Sequence, residues 1–186
     1  MSHDVAHLFV ITGGPGSGKS TLIDALQRLG YTRSIEAGRA IIRQQMAIGG
    51  SALPWLDRAA FAELMLSWEM RSYAMLKEER GPTFFDRGIP DVIGYLELIG
   101  LPVLPPMLRA AELHRYNSRV FIAPPWPEIF SNDQERRQDF DEAIRTYEAV
   151  RRVYSRLGYD LIELPRATIE ARIRFVLDEA GIPRLD

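Results

Sequence analysis

The run Gly13-Gly14-Pro15-Gly16-Ser17-Gly18-Lys19-Ser20 satisfies the spacing G-x-x-x-x-G-K-[ST] at every fixed position, and Thr21 follows it. Residues of these types at this spacing suit one chemistry, the holding of a polyphosphate. Glycine lets backbone N–H groups turn inward around phosphate oxygens, where side chains would obstruct them. A helix starting near Gly18 aims the positive end of its dipole at the same anion. Lys19 is expected as an exposed point charge for the outer phosphates, and the Ser20 hydroxyl as a ligand of Mg²⁺. A dinucleotide loop fails on spacing: with Gly14 and Gly16 as its first glycines, the third would stand at 19, where the chain has lysine. The run predicts ATP or a similar nucleoside triphosphate, with Mg²⁺, at residues 13–21.

Phosphoryl chemistry also needs a carboxylate to orient the metal or accept a proton, and cations to offset developing charge. Asp86 ends the apolar run Thr83-Phe84-Phe85, so it falls where the carboxyl end of a parallel strand faces the crevice. It is the first candidate for both metal ligand and base. Arg87 beside it is a candidate contact for a phosphate or an anionic acceptor. Glu36 has the same topological claim and is the alternative base, with Arg39 one helical turn later as an acceptor clamp. Arg136 and Arg137, with Arg145 further along, sit in or beside a charged segment and are candidates to swing over the transferring phosphate. Plainer roles compete. An acid near a helix start is favoured by the dipole alone, and Arg137 with Asp141 has the spacing of a surface helix pair.

These residues need a frame, and the hydrophobic pattern supplies one. Leu8–Ile11 is a continuous apolar run ending in glycines, which reads as a buried parallel strand. Ser20–Leu29 has helical spacing with Gly30 as its stop. Tyr31–Ile35 is expected as a strand and Gly38–Ile48 as a helix. Ala59–Leu76 is a long helical pattern rich in Met, Trp and Phe, read as core packing. Thr83–Asp86 is the third strand, Asp91–Ile99 a helix, Leu101–Pro106 a turn, and Met107–Tyr116 a further helix. Ser118–Ile122 is the fourth strand, followed by prolines and a charged stretch, Glu128–Asp139. A helix over Phe140–Leu157, a strand over Tyr159–Leu164 and a helix over Ile169–Ala180 close the pattern. Alternating strands and helices predict an α/β fold, a parallel sheet covered on both faces. One domain over 1–186 is the simplest account, with a lid insert at about 124–139.

Bulk composition removes other classes. The chain has 186 residues, 46% hydrophobic and 26% charged, and a formal net charge of −2. That balance gives no signal for nucleic acid or an acidic membrane. Cysteine is absent, which excludes disulfides, thiol catalysis and cysteine-held zinc. No apolar run approaches the roughly 18 residues of a membrane span, and Met1–His7 lacks the order of a signal peptide. A cytoplasmic protein is expected. Of 23 basic residues only Lys19 and Lys77 are lysines, preceded by Gly18 and Leu76, so the guanine motif Asn-Lys-x-Asp is impossible. ATP is therefore the expected nucleotide.

With these residues assembled, the chain resembles the small-molecule kinase branch of P-loop NTPases. More narrowly it resembles the stand-alone "AAA domain" predicted-ATPase family. The resemblance rests on Gly13–Thr21, Phe84-Phe85-Asp86-Arg87-Gly88 and Val120-Phe121-Ile122-Ala123-Pro124-Pro125-Trp126. Asp133-x-Glu135-Arg136 and Glu163-Leu164-Pro165 complete it. It implies a three-layer fold with a five-stranded parallel sheet, like that of nucleoside and nucleotide kinases. It also implies ATP with Mg²⁺, the lid, and an Asp86-Arg87 pair facing the acceptor. The activity expected is transfer of the γ-phosphoryl group to an unidentified small molecule. The alternative is a regulatory nucleotide switch acting on a protein partner.

Overall fold

The structure is a computed structural model that describes residues 5–130 and 139–183. Strand β1 (Leu8–Gly13) runs up the middle of the molecule with every residue buried. Helix α1 (Lys19–Arg28) follows, then β2 (Thr32–Arg33), α2 (Ala37–Ile48) and α3 (Arg58–Leu76). Next come β3 (Thr83–Asp86), α4 (Ile89–Leu98), α5 (Pro105–Leu113) and β4 (Arg119–Ala123). Helix α6 (Phe140–Arg156), β5 (Asp160–Glu163) and α7 (Ile169–Ala180) complete the order. The sheet has the order β2-β3-β1-β4-β5, and all four pairings are parallel. The chain thus moves to one side after β1 and returns to the other side at β4. The change of side opens a crevice at the carboxyl ends of the strands, beside β1.

Strand alternation sorts the core into two layers. Phe9 and Ile11 point to one face, where α1 and α7 cover them through Leu22, Ile23, Leu26, Val176 and Leu177. Leu8 and Val10 point to the other face and pack against Tyr73 of α3 and Tyr147, Val150 and Tyr154 of α6. Helices α4 and α5 pack against this second side through Ile89, Ile93, Ala110 and Ala111. This is the expected three-layer α/β arrangement with a five-stranded parallel sheet.

Three boundaries differ from the sequence expectation for local reasons. Helix α4 starts at Ile89 rather than Asp91, because the Asp91 carboxylate accepts the Gly88 N–H at 3.0 Å and Pro90 fits a first turn. Helix α5 begins at Pro105, inside the segment expected as a turn. Proline at a first helical position gives up no needed N–H. It ends at Leu113 because Tyr116 and Asn117 are drawn onto β4 and β1, where the Asn117 N–H donates to Leu8 O at 2.8 Å. β2 shortens to two residues, yet Ser34 keeps the strand direction by donating its N–H to Phe84 O at 3.0 Å. Among the described residues, no helix is long and apolar enough to cross a membrane.

Candidate functional site

The loop between β1 and α1 carries the motif at the carboxyl end of the central strand. Gly16 and Gly18 have φ of 68° and 74°, the left-handed region that side chains avoid. Space forbids a side chain there too: a Cβ on Gly18 would meet the Arg172 guanidinium at 2.7 Å. Lys19 is buried rather than exposed, a correction to the expectation of an open anion ligand. Its ammonium folds back on the loop and donates to Gly14 O at 2.5 Å and Ser17 Oγ at 3.2 Å. A buried charge must be satisfied, and these loop oxygens satisfy it. Ser20 lies half-buried in the first turn of α1 and Thr21 is exposed beside it. Gly13, Gly14, Pro15 and Ser17 are buried, and Ser17 Oγ closes the turn by donating to Gly14 O at 2.8 Å.

Arg172 of α7 was not singled out by the sequence reading. Its guanidinium donates to Ser17 O at 3.2 Å and Gly18 O at 3.4 Å, fastening the loop from behind. It also lies 5.7 Å from the Trp126 ring centroid. Ile129 and Phe130, at and just after a 3₁₀ turn (Pro127–Ile129), press on Gly18 and Gly16. Phe130 meets Phe140 edge to face with centroids 5.3 Å apart. These two rings bracket residues 131–138. Arg136 and Arg137, and half of the lid expected at 124–139 (residues 131–138), lie outside the described residues. Arg145 is exposed on α6.

Asp86 ends β3 as expected and is 2% exposed. Burial raises its carboxyl above the ordinary range, against the opposing pull of Lys19, Arg87 and Arg33. Its Oδ1 is buried with no hydrogen-bond partner among the described residues. Arg87 follows with φ of 72°, the one non-glycine residue among those described that holds a positive φ. Strain of this kind costs roughly 1–3 kcal/mol and gathers at functional sites. The turn lets the Arg87 guanidinium span two acids, Glu36 at 3.6 Å and Asp91 at 3.1 Å. Glu36 stands at the start of α2 and also holds Arg39 at 3.3 Å. Arg39 is thereby committed to Glu36.

Two acids escaped the sequence reading. Asp91 caps α4, accepts the Thr12 hydroxyl at 2.5 Å and accepts the Tyr154 hydroxyl at 2.7 Å, so it joins β1, α4 and α6. Glu69 sits on α3 and is 2% exposed. Burial, then the negative charges of Asp91 and Asp86, hold its carboxyl well above the ordinary range. A signal for it existed. Phe61, Met65 and Glu69 follow one another at steps of four, so an acid stands in a helical stripe otherwise given to the core.

These acids border one cavity of about 330 Å³. Pro15 of the glycine loop stands in its wall, together with Glu36, Glu69, Arg87 and Asp91. Phe61, Met65 and Tyr95 supply an apolar side, Trp55 and Arg58 a rim, and Glu142 of α6 a further acid. Asp86 is not part of this wall. The arrangement is thus a glycine loop shaped for an anion, an acid and an arginine beside it, and an aromatic cavity adjoining both.

A family described as AAA domain has a profile that matches residues 8–172. No curated protein matches the chain by sequence. Among solved structures, a NadR protein in complex with NR superposes with a TM-score of 0.75 at 17% identity, over 99% of this chain and 54% of that one. The chain therefore spans about half the length of that relative. Deoxyadenosine kinase from M. mycoides, with products dCMP and dCDP bound, gives 0.63 at 12% identity, over 93% of this chain and 98% of that one. Thymidylate kinase from Ehrlichia chaffeensis gives 0.60 at 16% identity, over 95% and 99%. At such identities the likeness is one of fold: this chain has the fold of P-loop nucleoside and nucleotide kinases.

Proposed function

The chain belongs to the AAA-domain family, and from that premise we propose that it is a phosphotransferase moving the γ-phosphoryl group of ATP to a small acceptor. The observation that carries this is the cavity sharing Pro15 with the phosphate loop, with Glu36 and Arg87 in its wall. A nucleotide switch that acts only on a protein needs the loop but has no use for such a cavity. The structural relatives with nucleosides or nucleotides in their described complexes support the same direction.

The residues present fit ATP and Mg²⁺. Gly16 and Gly18 hold the left-handed turn that the phosphate loop needs, and a Cβ at either would collide with Phe130 or Arg172 packed against it. The Oδ1 of Asp86, buried with no hydrogen-bond partner among the described residues, is an oxygen that could take a cation. Ser20 and Asp86 would hold the metal, which would neutralise charge on the β- and γ-phosphates. No group of three or more His, Asp or Glu among the described residues is set to hold an ion, so phosphate and water would complete its shell. On binding, the phosphates replace Gly14 O as partner of Lys19.

Glu36 takes the acceptor proton in this reading, since it borders the cavity and Asp86 does not. The acceptor hydroxyl oxygen forms a bond to the γ-phosphorus while the bond to the β-phosphate oxygen breaks. The hydroxyl proton passes to the Glu36 carboxylate and ADP departs. Arg87, held rigidly by Glu36 and Asp91, faces the negative charge that grows during transfer.

ADP release from ATP–Mg²⁺, followed across a panel of nucleosides, nucleotides and small alcohols, is the test. At least one acceptor should stimulate release well above the rate with ATP alone. Lys19→Ala should weaken ATP by roughly 10–100-fold, the loss of charge-assisted hydrogen bonds worth about 1.5–3 kcal/mol. Glu36→Gln should leave ATP affinity intact and lower turnover by roughly 10²-fold or more. Stimulated release by no acceptor, or full turnover in Glu36→Gln, defeats the assignment.

A further inference from the structure

Two cations are buried among the described residues, Lys19 and Arg172, and both bond the phosphate loop. The loop motif accounts for Lys19. Nothing in the motif calls for Arg172, which reaches the loop from the last helix. We infer that Arg172 is a positioning residue for the nucleotide's phosphates: it aims two loop peptides, and the phosphates supply the negative charge that balances its own. This rests on the nucleotide site proposed above and adds a residue to it.

The geometry acts through the peptide plane. One nitrogen, Nη1, donates to both Ser17 O at 3.2 Å and Gly18 O at 3.4 Å. No described peptide bond is cis, and a trans peptide sets its N–H opposite its C=O. With both oxygens drawn toward α7, the N–H groups of Gly18 and Lys19 turn the other way, as donors at the start of α1. A cation on the oxygens also polarises each peptide and strengthens its N–H as a donor. The contact needs glycine at 18, since a Cβ there would stand 2.7 Å from Nη1. Gly18 O also accepts the Leu22 N–H at 3.2 Å, so Arg172 and the first turn of α1 hold the same peptide.

The charge of Arg172 is unbalanced. No carboxylate among the described residues pairs with it, and burial alone acts on it, pulling its pKa below the ordinary arginine value. Its Nε is buried without a hydrogen-bond partner among the described residues. The Trp126 ring, 5.7 Å away, offsets part of the cost. A buried cation without a counter-charge weakens the empty fold. A polyphosphate in the loop brings that charge, so the cost falls on the empty protein and is relieved in the complex.

Calorimetry on the full chain, with ATP–Mg²⁺ and with inorganic tripolyphosphate, which carries no base, tests this in Arg172→Met and Arg172→Lys. Arg172→Met should weaken both ligands alike, by about 10-fold each, the scale of one charge-assisted hydrogen bond. The melting temperature of the empty variant should stay level or rise, because the unbalanced charge is gone. Arg172→Lys keeps a charge and should bind both ligands less tightly than the parent and more tightly than Arg172→Met. Unchanged affinities with a lowered melting temperature would make Arg172 a structural tie. A loss confined to ATP would place it at the base, and equal binding by the two variants would remove charge from its role. Each of these three results overturns the inference. Should Arg172→Met not fold, Arg172→Lys decides: a loss of about 3-fold or more for both ligands supports the inference, and parent-level affinity overturns it. A parent that binds neither ligand refutes the nucleotide reading and this inference with it. A parent that binds ATP but transfers to no acceptor refutes the phosphotransferase reading alone.

Discussion

Glu69 shows how much depends on a single side chain. A buried carboxyl with an unmet oxygen costs roughly 1–3 kcal/mol, yet α3 carries it at a position where leucine or methionine would pack. Its carboxyl is held well above the ordinary 4.5, chiefly by burial. A group whose pKa is raised in the folded chain binds its proton more tightly folded than unfolded. Its contribution is full below 4.5 and is lost as pH rises through the raised value. Glu69→Gln cannot ionise and should remove that part of the decline. The melting temperature of the variant should therefore gain on that of the parent as pH goes from about 5 to about 8. Parallel curves over that range would mean that Glu69 titrates alike in both states.

At the scale of elements, α3 is both a core helix and one wall of the cavity. Its start is fixed by Asp57, whose carboxylate accepts the Ala60 N–H at 2.9 Å. Three turns further on stands Glu69, and Phe61 lies between them in the first turns. Asp57→Ala should destabilise the chain by about 0.5–2 kcal/mol, read from denaturant unfolding, as an N-cap loss. Because Phe61 moves with that end of the helix, acceptor affinity should fall as well, while ATP affinity should not. Equal stability of variant and parent would show the cap to be idle. The pair α1 and α7 forms a separate unit on the other face, where Arg172 ties the phosphate loop to the last helix. The two substrates are thus served by helices on opposite sides of the sheet.

Over the whole molecule, Asp91 is where the layers meet. Thr12 of the central strand, Tyr154 of α6, the Gly88 N–H and Arg87 all converge on one buried carboxylate. Asp91→Asn keeps the volume but loses the charge that Arg87 faces and turns one acceptor into a donor. A cost of about 1.5–3 kcal/mol is expected, the range for a hydrogen bond to a charged group. Arg87 would then lose a fixed point, so turnover should fall while ATP affinity holds. Thermal unfolding with and without ATP–Mg²⁺ separates the two effects, because ligand binding adds RT ln(1 + [L]/Kd) to either protein. Loss of the nucleotide-induced shift in Asp91→Asn would place the residue in the ATP site instead.

The sequence by itself determined the parts whose meaning is local. The glycine loop, the buried strand before it and the helix after it all follow from neighbouring residues, and so does Asp86 at a strand end. Strand and helix alternation determined the parallel sheet, because parallel neighbours need long crossovers. Tertiary structure decided what depends on distant residues meeting. Lys19 turns inward onto Gly14 O and Ser17 Oγ, a matter of satisfaction and not of spacing. Glu69 reads as one acid in a core helix until α3, α4 and the turn after β3 (Arg87, Gly88) form a cavity beside it. Asp91 reads as an ordinary helix cap, since its partners Thr12 and Tyr154 lie 79 and 63 residues away. Capping spacing is visible along the chain, whereas a buried carboxylate that joins three elements exists only once the sheet has brought them together.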